Sequence, residues 1–194
     1  MRIKLLVVIL LAFLLGGGLA FGLRNLEQQA ATGTALIGGT FSLTDQNGIR
    51  VSEKSFGGRY LLVFFGFTHC PDVCPAGLQV MASALDQLGP KADGVAPLFV
   101  TVDPARDTPA ALKTYVSAFH PKLIGLTGTE AEIQAVAKAY RVYFKRVDDP
   151  SSADGYTMDH SAFIYLMDRS GAYVTHFSHS ASPGEIVARI TPLL

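Results

Sequence analysis

The residues with the clearest potential for chemistry are two cysteines four positions apart, Cys70 and Cys74, the only cysteines of the chain. They follow the continuous apolar run Tyr60–Phe67, which is typical of a buried strand, and precede apolar residues at helical spacing over 78–88. The start of a helix stabilises anions, so thiolates there have a lowered pKa and react more readily. If the first helical turn includes both cysteines, their sulfurs share one face and can converge on a small ion.

Two thiolates need a further ligand to form a selective metal site, and His160 is the best candidate. It comes just before the apolar strand 162–167, at a strand end that a parallel sheet can bring beside Cys74. Thiolates together with an imidazole suit copper, and their softness favours Cu(I). The alternatives for Cys70 and Cys74 are a plain disulfide of an exported protein or two unrelated buried thiols. The alternative for His160 is a surface or hydrogen-bonded core histidine.

Two acidic residues and a second histidine are neighbours of these candidates along the chain. Asp72 lies between the cysteines and Asp159 lies beside His160. A carboxylate there either orients a liganded imidazole through a hydrogen bond or remains solvated. His69 is expected to lie at the surface or to act indirectly, because adjacent side chains tend to point apart.

The loop 103–109, Asp-Pro-Ala-Arg-Asp-Thr-Pro, follows a second buried strand. We expect it to be structural, with Asp103 or Asp107 capping a helix and Arg106 in an ion pair. Thr108 and Pro109 can then begin the next helix.

The elements that position these residues alternate between strands and helices. A short hairpin within 41–51 comes first, and three strand–helix units follow between residues 60 and 140. One further strand is predicted over 141–147, a hairpin over 162–177 and a closing helix from Ser182. This order predicts the α/β class, as a three-layer α/β/α thioredoxin-like fold with an N-terminal β-hairpin.

The first 24 residues contain a long uncharged segment, Leu5–Leu23, which as a helix at about 1.5 Å per residue spans about 28 Å. We therefore expect a single N-terminal membrane helix within 1–24, a flexible tether over 25–37 and a folded domain over 38–194. Positive charges before the segment place the N-terminus inside and the domain in the periplasm or another extracytoplasmic space. The alternative is a signal peptide cleaved near the small residues at 18–20.

The composition excludes several function classes. The 16 Lys and Arg residues balance 16 Asp and Glu residues, so the basic surplus of a nucleic-acid-binding protein is missing. With 49% hydrophobic and 16% charged residues, the chain can bury a core and is not a disordered polar segment. Two cysteines exclude a zinc site of four thiolates and a disulfide-dense scaffold.

Three stretches together resemble the Sco/SenC family. They are Phe67-Thr-His-Cys-Pro-Asp-Val-Cys-Pro75, Thr101-Val-Asp-Pro-Ala-Arg-Asp-Thr-Pro109 and Tyr156-Thr-Met-Asp-His-Ser161. The similarity runs from about residue 38 to the end of the chain, in the family's order, and a preceding membrane anchor is typical of the family. The resemblance implies a thioredoxin-like fold and copper, as Cu(I) or Cu(II), bound by Cys70, Cys74 and His160.

The resemblance also implies a function. It is that of a membrane-tethered chaperone that delivers copper to the dinuclear copper site of a cytochrome c oxidase subunit during assembly, with the copper donor left open. Some family members are also credited with reducing the cysteines of that subunit. In this alternative, a thiol–disulfide oxidoreductase, Cys70 attacks, Cys74 resolves, and the two form a disulfide when oxidised. The sequence leaves open which of the two tasks this chain performs, and so whether it is an enzyme.

Overall fold

The computed structural model describes residues 37–194, and its strands and helices follow the predicted order, with one additional strand before the last hairpin. The strands are β1 (Leu43–Asp45), β2 (Arg50–Val51), β3 (Tyr60–Gly66), β4 (Val95–Thr101), β5 (Ile124–Thr127), β6 (Phe144–Asp148), β7 (Tyr156–His160), β8 (Phe163–Met167) and β9 (Tyr173–Ser178). The helices are α1 (Val73–Leu88), α2 (Pro109–Ser117), α3 (Glu130–Tyr140) and α4 (Pro183–Ile190), with short 3-10 turns over Glu53–Phe56, Gly89–Gly94 and Thr191–Leu193.

Seven of the strands form one sheet in the order β2-β1-β5-β4-β3-β8-β9. Its centre is parallel, because β4 pairs in parallel with both β3 and β5. The remaining pairs are antiparallel and include the predicted N-terminal hairpin of β1 and β2. Central parallel strands are covered on both faces, and this explains why β3 and β4 consist almost entirely of buried residues.

Successive residues of β3 show how the helices cover both faces of the sheet. Phe64 lies against Gly77 of α1, whereas the ring of Phe65 lies 5.3 Å from that of Tyr140 at the end of α3. Neighbouring side chains of a strand point to opposite faces, so α1 and α3 pack on opposite sides. The α/β/α layering predicted from the sequence is therefore present.

The strands β6 and β7 form a separate two-stranded antiparallel sheet, in which Phe144 pairs with His160. The sequence predicted a strand over 141–147 and did not predict β7. The start of the predicted strand was wrong, because Arg141 ends α3 in a left-handed conformation with φ of 57°. β7 is an additional strand that begins at Tyr156.

The predicted anchor, 1–24, and the tether up to residue 36 lie outside the described residues. Within 37–194, no helix has the length and apolar character that crossing a membrane requires. The described chain is folded from its first residues, since Ile37 packs against the core and the Gly38 N–H donates to the Ala139 carbonyl.

Candidate metal centre

The two cysteines lie in the loop and first helical turn that follow β3. Cys74 is the second residue of α1 and is fully buried, whereas Cys70 precedes the helix by three residues and is half-buried. The first helical turn therefore includes Cys74 but not Cys70. Their sulfurs nonetheless converge, because the chain turns back at Cys70 so that its Sγ accepts the N–H of Cys74 at 3.4 Å.

His160 is the last residue of β7, and its imidazole Nε2 lies 3.3 Å from the Cys74 Sγ. The other ring nitrogen, Nδ1, is 3.1 Å from the carbonyl oxygen of Ser161, which can only accept a hydrogen bond. Nδ1 therefore carries a proton, and Nε2 is the nitrogen that faces the sulfur. The ring edge of Phe67 contacts the imidazole at a centroid distance of 5.8 Å and fixes its plane.

The two sulfurs and one imidazole nitrogen all lie within 4.8 Å of one another. Thiolate and imidazole ligands bind zinc at about 2.0–2.3 Å, so donors to one such ion lie at most about 4.6 Å apart. A small adjustment of these side chains is enough to hold one ion of similar size. Within residues 37–194, no other cluster of Cys, His, Asp and Glu has this geometry.

The two thiols have opposite tendencies to ionise. The hydrogen bond that Cys70 receives from the Cys74 thiol lowers the pKa of Cys70 most. Burial of Cys70 raises its pKa, but hydrogen bonds with His160 and with the N–H groups of Asp72 and Cys74 lower it further. The same hydrogen bond to Cys70, together with burial and the negative charge of Cys70, raises the pKa of Cys74. The reduced pair is therefore a half-buried thiolate beside a buried thiol.

Asp107 supports the cysteine loop through hydrogen bonds to Thr68, a role that the sequence did not reveal. Its carboxylate is fully buried and accepts hydrogen bonds from the Thr68 hydroxyl (2.6 Å), the Thr68 N–H (3.0 Å) and the Thr101 hydroxyl (2.6 Å). Burial raises the pKa of Asp107 although these bonds act to lower it. Asp107 does not cap the helix; Thr108, which was expected to begin it, is the cap, and its hydroxyl accepts the N–H of Ala111.

Arg106 forms the ion pair predicted for it, and its partner is Asp103, which is also buried. The Asp103 carboxylate accepts a second hydrogen bond from the Tyr156 hydroxyl at 3.1 Å. This carboxylate therefore links the loop after β4 to the first residue of β7.

Asp72 and Asp159, the carboxylates expected to orient a ligand, are exposed and not brought into the site. Within 37–194, neither side chain forms a hydrogen bond to Cys70, Cys74 or His160. The Ser161 carbonyl orients the imidazole instead. A hydrogen bond to a backbone carbonyl leaves no trace in residue types, so the sequence offered no signal for it.

His69 lies at the surface, as expected. Its side chain is 49% exposed, and its Nδ1 lies 3.0 Å from the Thr68 hydroxyl. Its Nε2 lies 3.8 Å from the Asp154 carboxylate, so the ring faces the loop before β7 and not the two sulfurs.

Comparison with known proteins connects this geometry to a family. The SCO1/SenC family model matches residues 29–194. The mitochondrial SCO1 homolog of Homo sapiens is 40% identical over 192 residues, which is 93% of this chain and 64% of that protein, so this chain spans less than two thirds of that relative.

Solved structures share the fold. The structure of Bradyrhizobium japonicum ScoI with copper bound is 51% identical, covers 81% of this chain and 99% of its own, and has a TM-score of 0.75. BsSco, described with a disulfide switch and as a member of the Sco family of cytochrome c oxidase assembly proteins, is 23% identical. It covers 81% of this chain and 92% of its own with a TM-score of 0.64, a likeness that shows the fold alone.

Proposed function

Because this chain belongs to the SCO1/SenC family, we propose that it is a membrane-tethered copper chaperone that binds one copper ion through Cys70, Cys74 and His160. The observation that carries the proposal is the convergence of these three donor atoms within 4.8 Å. The copper bound in a structure 51% identical to this chain supports the identity of the metal.

The donor set suits a cargo that must be held and then released. Two thiolates and one imidazole are soft enough to favour Cu(I), and three protein ligands leave the ion open to a further ligand from a partner. Cys70 is only half-buried, so a partner can approach the site from its side. Loading of the reduced pair releases the proton of Cys74, since the ligand is the thiolate.

We propose the dinuclear copper site of cytochrome c oxidase as the destination, reached during assembly of the enzyme. The family resemblance implies this partner. Residues 1–24 would anchor the chain in the inner membrane, 25–37 would form the tether, and 38–194 would be the domain on the periplasmic side.

The function is tested with the full-length, fully reduced chain in detergent, loaded with Cu(I) against a competing chelator. We expect one copper per chain, loss of stoichiometric binding in Cys70→Ser and Cys74→Ser, and an affinity at least about tenfold lower in His160→Ala. The matched control is His176→Ala, an exposed histidine that contacts Tyr173. Stoichiometric binding retained in both cysteine variants would overturn the proposal.

The alternative function is reduction of a partner's disulfide, and the ionisation of the cysteine pair favours it. The Cys70 thiolate would attack a partner sulfur and release the partner's other cysteine as a thiolate. The Cys74 sulfur, once deprotonated, would attack Cys70 in the mixed disulfide, leaving the partner a dithiol and this chain a disulfide. Reductase activity that survives His160→Ala while copper binding is lost would favour this function.

A further inference from the structure

The strand that carries His160 has no backbone pairing with the main sheet. β7 pairs only with β6, and β6 only with β7, within the described part of the chain. The position of the imidazole relative to the cysteines therefore depends on the short link to β8, which begins at Phe163, and on contacts between this hairpin and the rest of the domain. Arg106 makes several of these contacts at once.

The guanidinium of Arg106 is nearly buried, with its side chain 11% exposed, and it joins two loops by hydrogen bonds. Its Nε donates to Asp103 in its own loop. Its Nη1 donates to the Asp154 carboxylate at 3.1 Å and lies 3.4 Å from the Tyr156 carbonyl oxygen. The loop after β4 is thereby tied to the start of β7.

The same guanidinium stacks on the aromatic rings that flank the site. Its central carbon lies 3.8 Å from the ring centre of Tyr156 and 5.8 Å from that of Phe67. Tyr156 and His160 lie on the same side of β7, four residues apart. Phe67 contacts the His160 ring by its edge and immediately precedes the cysteine loop. Arg106 thus contacts both the strand of the histidine and the segment of the cysteines.

One nitrogen of this group is left without a partner. Nη2 of Arg106 is buried and forms no hydrogen bond within the described residues. A buried donor without a partner lowers stability. The ion pair with Asp103 alone does not require the guanidinium to lie over the Tyr156 ring, 3.8 Å from its centre.

We propose that Arg106 is a positioning residue, which holds the hairpin of β6 and β7 so that the His160 imidazole stays over Cys70 and Cys74. This inference rests on the proposed copper site and goes beyond it, because Arg106 touches no donor atom and acts only through Tyr156, Asp154 and Phe67. Its loss should remove the contribution of His160 and leave the two thiolates able to bind.

The test is a double-mutant cycle in the full-length chain, with Cu(I) affinity as the readout. Arg106→Gln removes the charge, and Arg106→Lys keeps a charge near Asp103 but loses the planar fork and the stacking. Each is made alone and in the His160→Ala background. We expect each single Arg106 variant to bind copper about 10- to 100-fold more weakly than the parent. In the His160→Ala background, the same substitutions should cause no further loss of affinity.

A spectroscopic readout and a matched control accompany the affinities. The absorption and electron paramagnetic resonance spectra of the Cu(II)-loaded Arg106→Lys protein should shift towards those of His160→Ala. Arg146→Gln is the control, since Arg146 stacks on the same Tyr156 ring at 3.7 Å but forms no ion pair within 37–194. It should leave both affinity and spectra unchanged.

The outcomes separate this inference from the function on which it rests. Equal losses with and without His160, or unchanged affinity in both Arg106 variants, would overturn the positioning role while the parent still binds copper. If Arg106→Gln fails to fold because Asp103 is left as an unpaired buried charge, Arg106→Lys decides alone. A parent that binds no copper overturns the proposed function itself.

Discussion

At the scale of single residues, Cys70 and Cys74 differ in protonation because they differ in burial and in the direction of one hydrogen bond. Cys74 is fully buried and keeps its proton, which it shares with the sulfur of Cys70. Cys70 receives this bond and the Cys74 N–H, so that its charge is stabilised. Removal of Cys74 therefore tests the electrostatics of the pair directly.

We predict that Cys74→Ala raises the pKa of Cys70, because the hydrogen bond that lowers it most is lost. Only the thiolate reacts with iodoacetamide, so the labelling rate of the parent's Cys70 should stay nearly constant between pH 6 and 8. The variant's rate at pH 6 should fall by about tenfold for each unit by which its pKa exceeds the pH. Mass spectrometry of the labelled peptide gives the rates.

The control for this experiment is His160→Ala, which removes a smaller contribution and should raise the pKa of Cys70 less. Identical rate–pH profiles in the parent and Cys74→Ala would show that the cysteine pair does not set the ionisation of Cys70.

The sequence could predict the residues of the candidate site whose types are known metal ligands, but not the residues that support them. The sequence singled out Cys70, Cys74 and His160, and the structure brings their donor atoms together, while their role as ligands stays a prediction. The support from Asp107 and the Ser161 carbonyl was not predictable. Asp107 lies 39 residues from Thr68 along the chain, and only the parallel pairing of β3 with β4 brings them into contact.

At the scale of elements, the last residue of β3 shapes the space that Cys74 occupies. A Cβ at Gly66 would lie 2.7 Å from the Cys74 Sγ and 2.8 Å from the Phe99 ring. The strand can therefore approach α1 this closely only with glycine at its end. The sulfur of Cys74 and the ring of Phe99 both lie against the backbone of β3 at Gly66.

We predict that Gly66→Ala displaces the Cys74 sulfur and so lowers both copper affinity and stability. Overpacking of a core costs about 1–3 kcal/mol, which urea denaturation of the metal-free chain would measure. The loss of Cu(I) affinity should exceed tenfold by chelator competition, since the sulfur and the Phe99 ring cannot both keep their positions.

Gly77→Ala is the matched control for this crowding. Its Cβ would lie 2.8 Å from the Phe64 ring, within α1 but away from both sulfurs. It should change stability and leave copper affinity within about twofold of the parent. Equal affinity losses in the two variants would mean that copper binding responds to general loosening of the core, and not to contact between β3 and Cys74.

The secondary-structure elements were predictable where burial produces a clear pattern of apolar residues along the chain, and less predictable elsewhere. The continuous apolar runs of β3 and β4 predicted buried strands, and both strands are buried in the structure. The sequence did not predict β7. One reason is that its residues, Tyr-Thr-Met-Asp-His, include polar side chains and lie outside the main sheet. A strand that pairs with only one neighbour is less buried, so its sequence shows a weaker apolar pattern.

At the scale of the whole domain, the metal centre and the start of the described chain lie at opposite ends of β3. The cysteines follow its last residue, Gly66, whereas Gly38 packs against Met167, which pairs with Leu61 at the strand's beginning. The seven residues of β3 span about 20 Å at about 3.3 Å each. The described chain therefore starts at the end of β3 that is remote from the three proposed copper ligands.

We predict that a chain of residues 25–194 binds Cu(I) with the affinity of the full-length protein, within about twofold, but no longer fractionates with membranes. All three proposed ligands, Arg106 and Asp107 lie within the described residues, whereas the expected anchor lies within 1–24. Chelator competition and membrane flotation measure the two properties. A full-length product found in the soluble fraction, cut near residue 20, would replace the anchor with a cleaved signal peptide.

A chain that begins at residue 42 separates the role of the tether from that of the fold. It loses the hydrogen bond of the Gly38 N–H to Ala139 and the packing of Phe41 on Phe56, whose ring centres lie 6.5 Å apart. Its free energy of unfolding should fall by about 1–3 kcal/mol relative to 25–194. Because these contacts lie at the far end of β3, copper affinity measured well below the unfolding transition should not change. An affinity that falls in step with stability would show that the metal centre and the domain's opposite end are coupled.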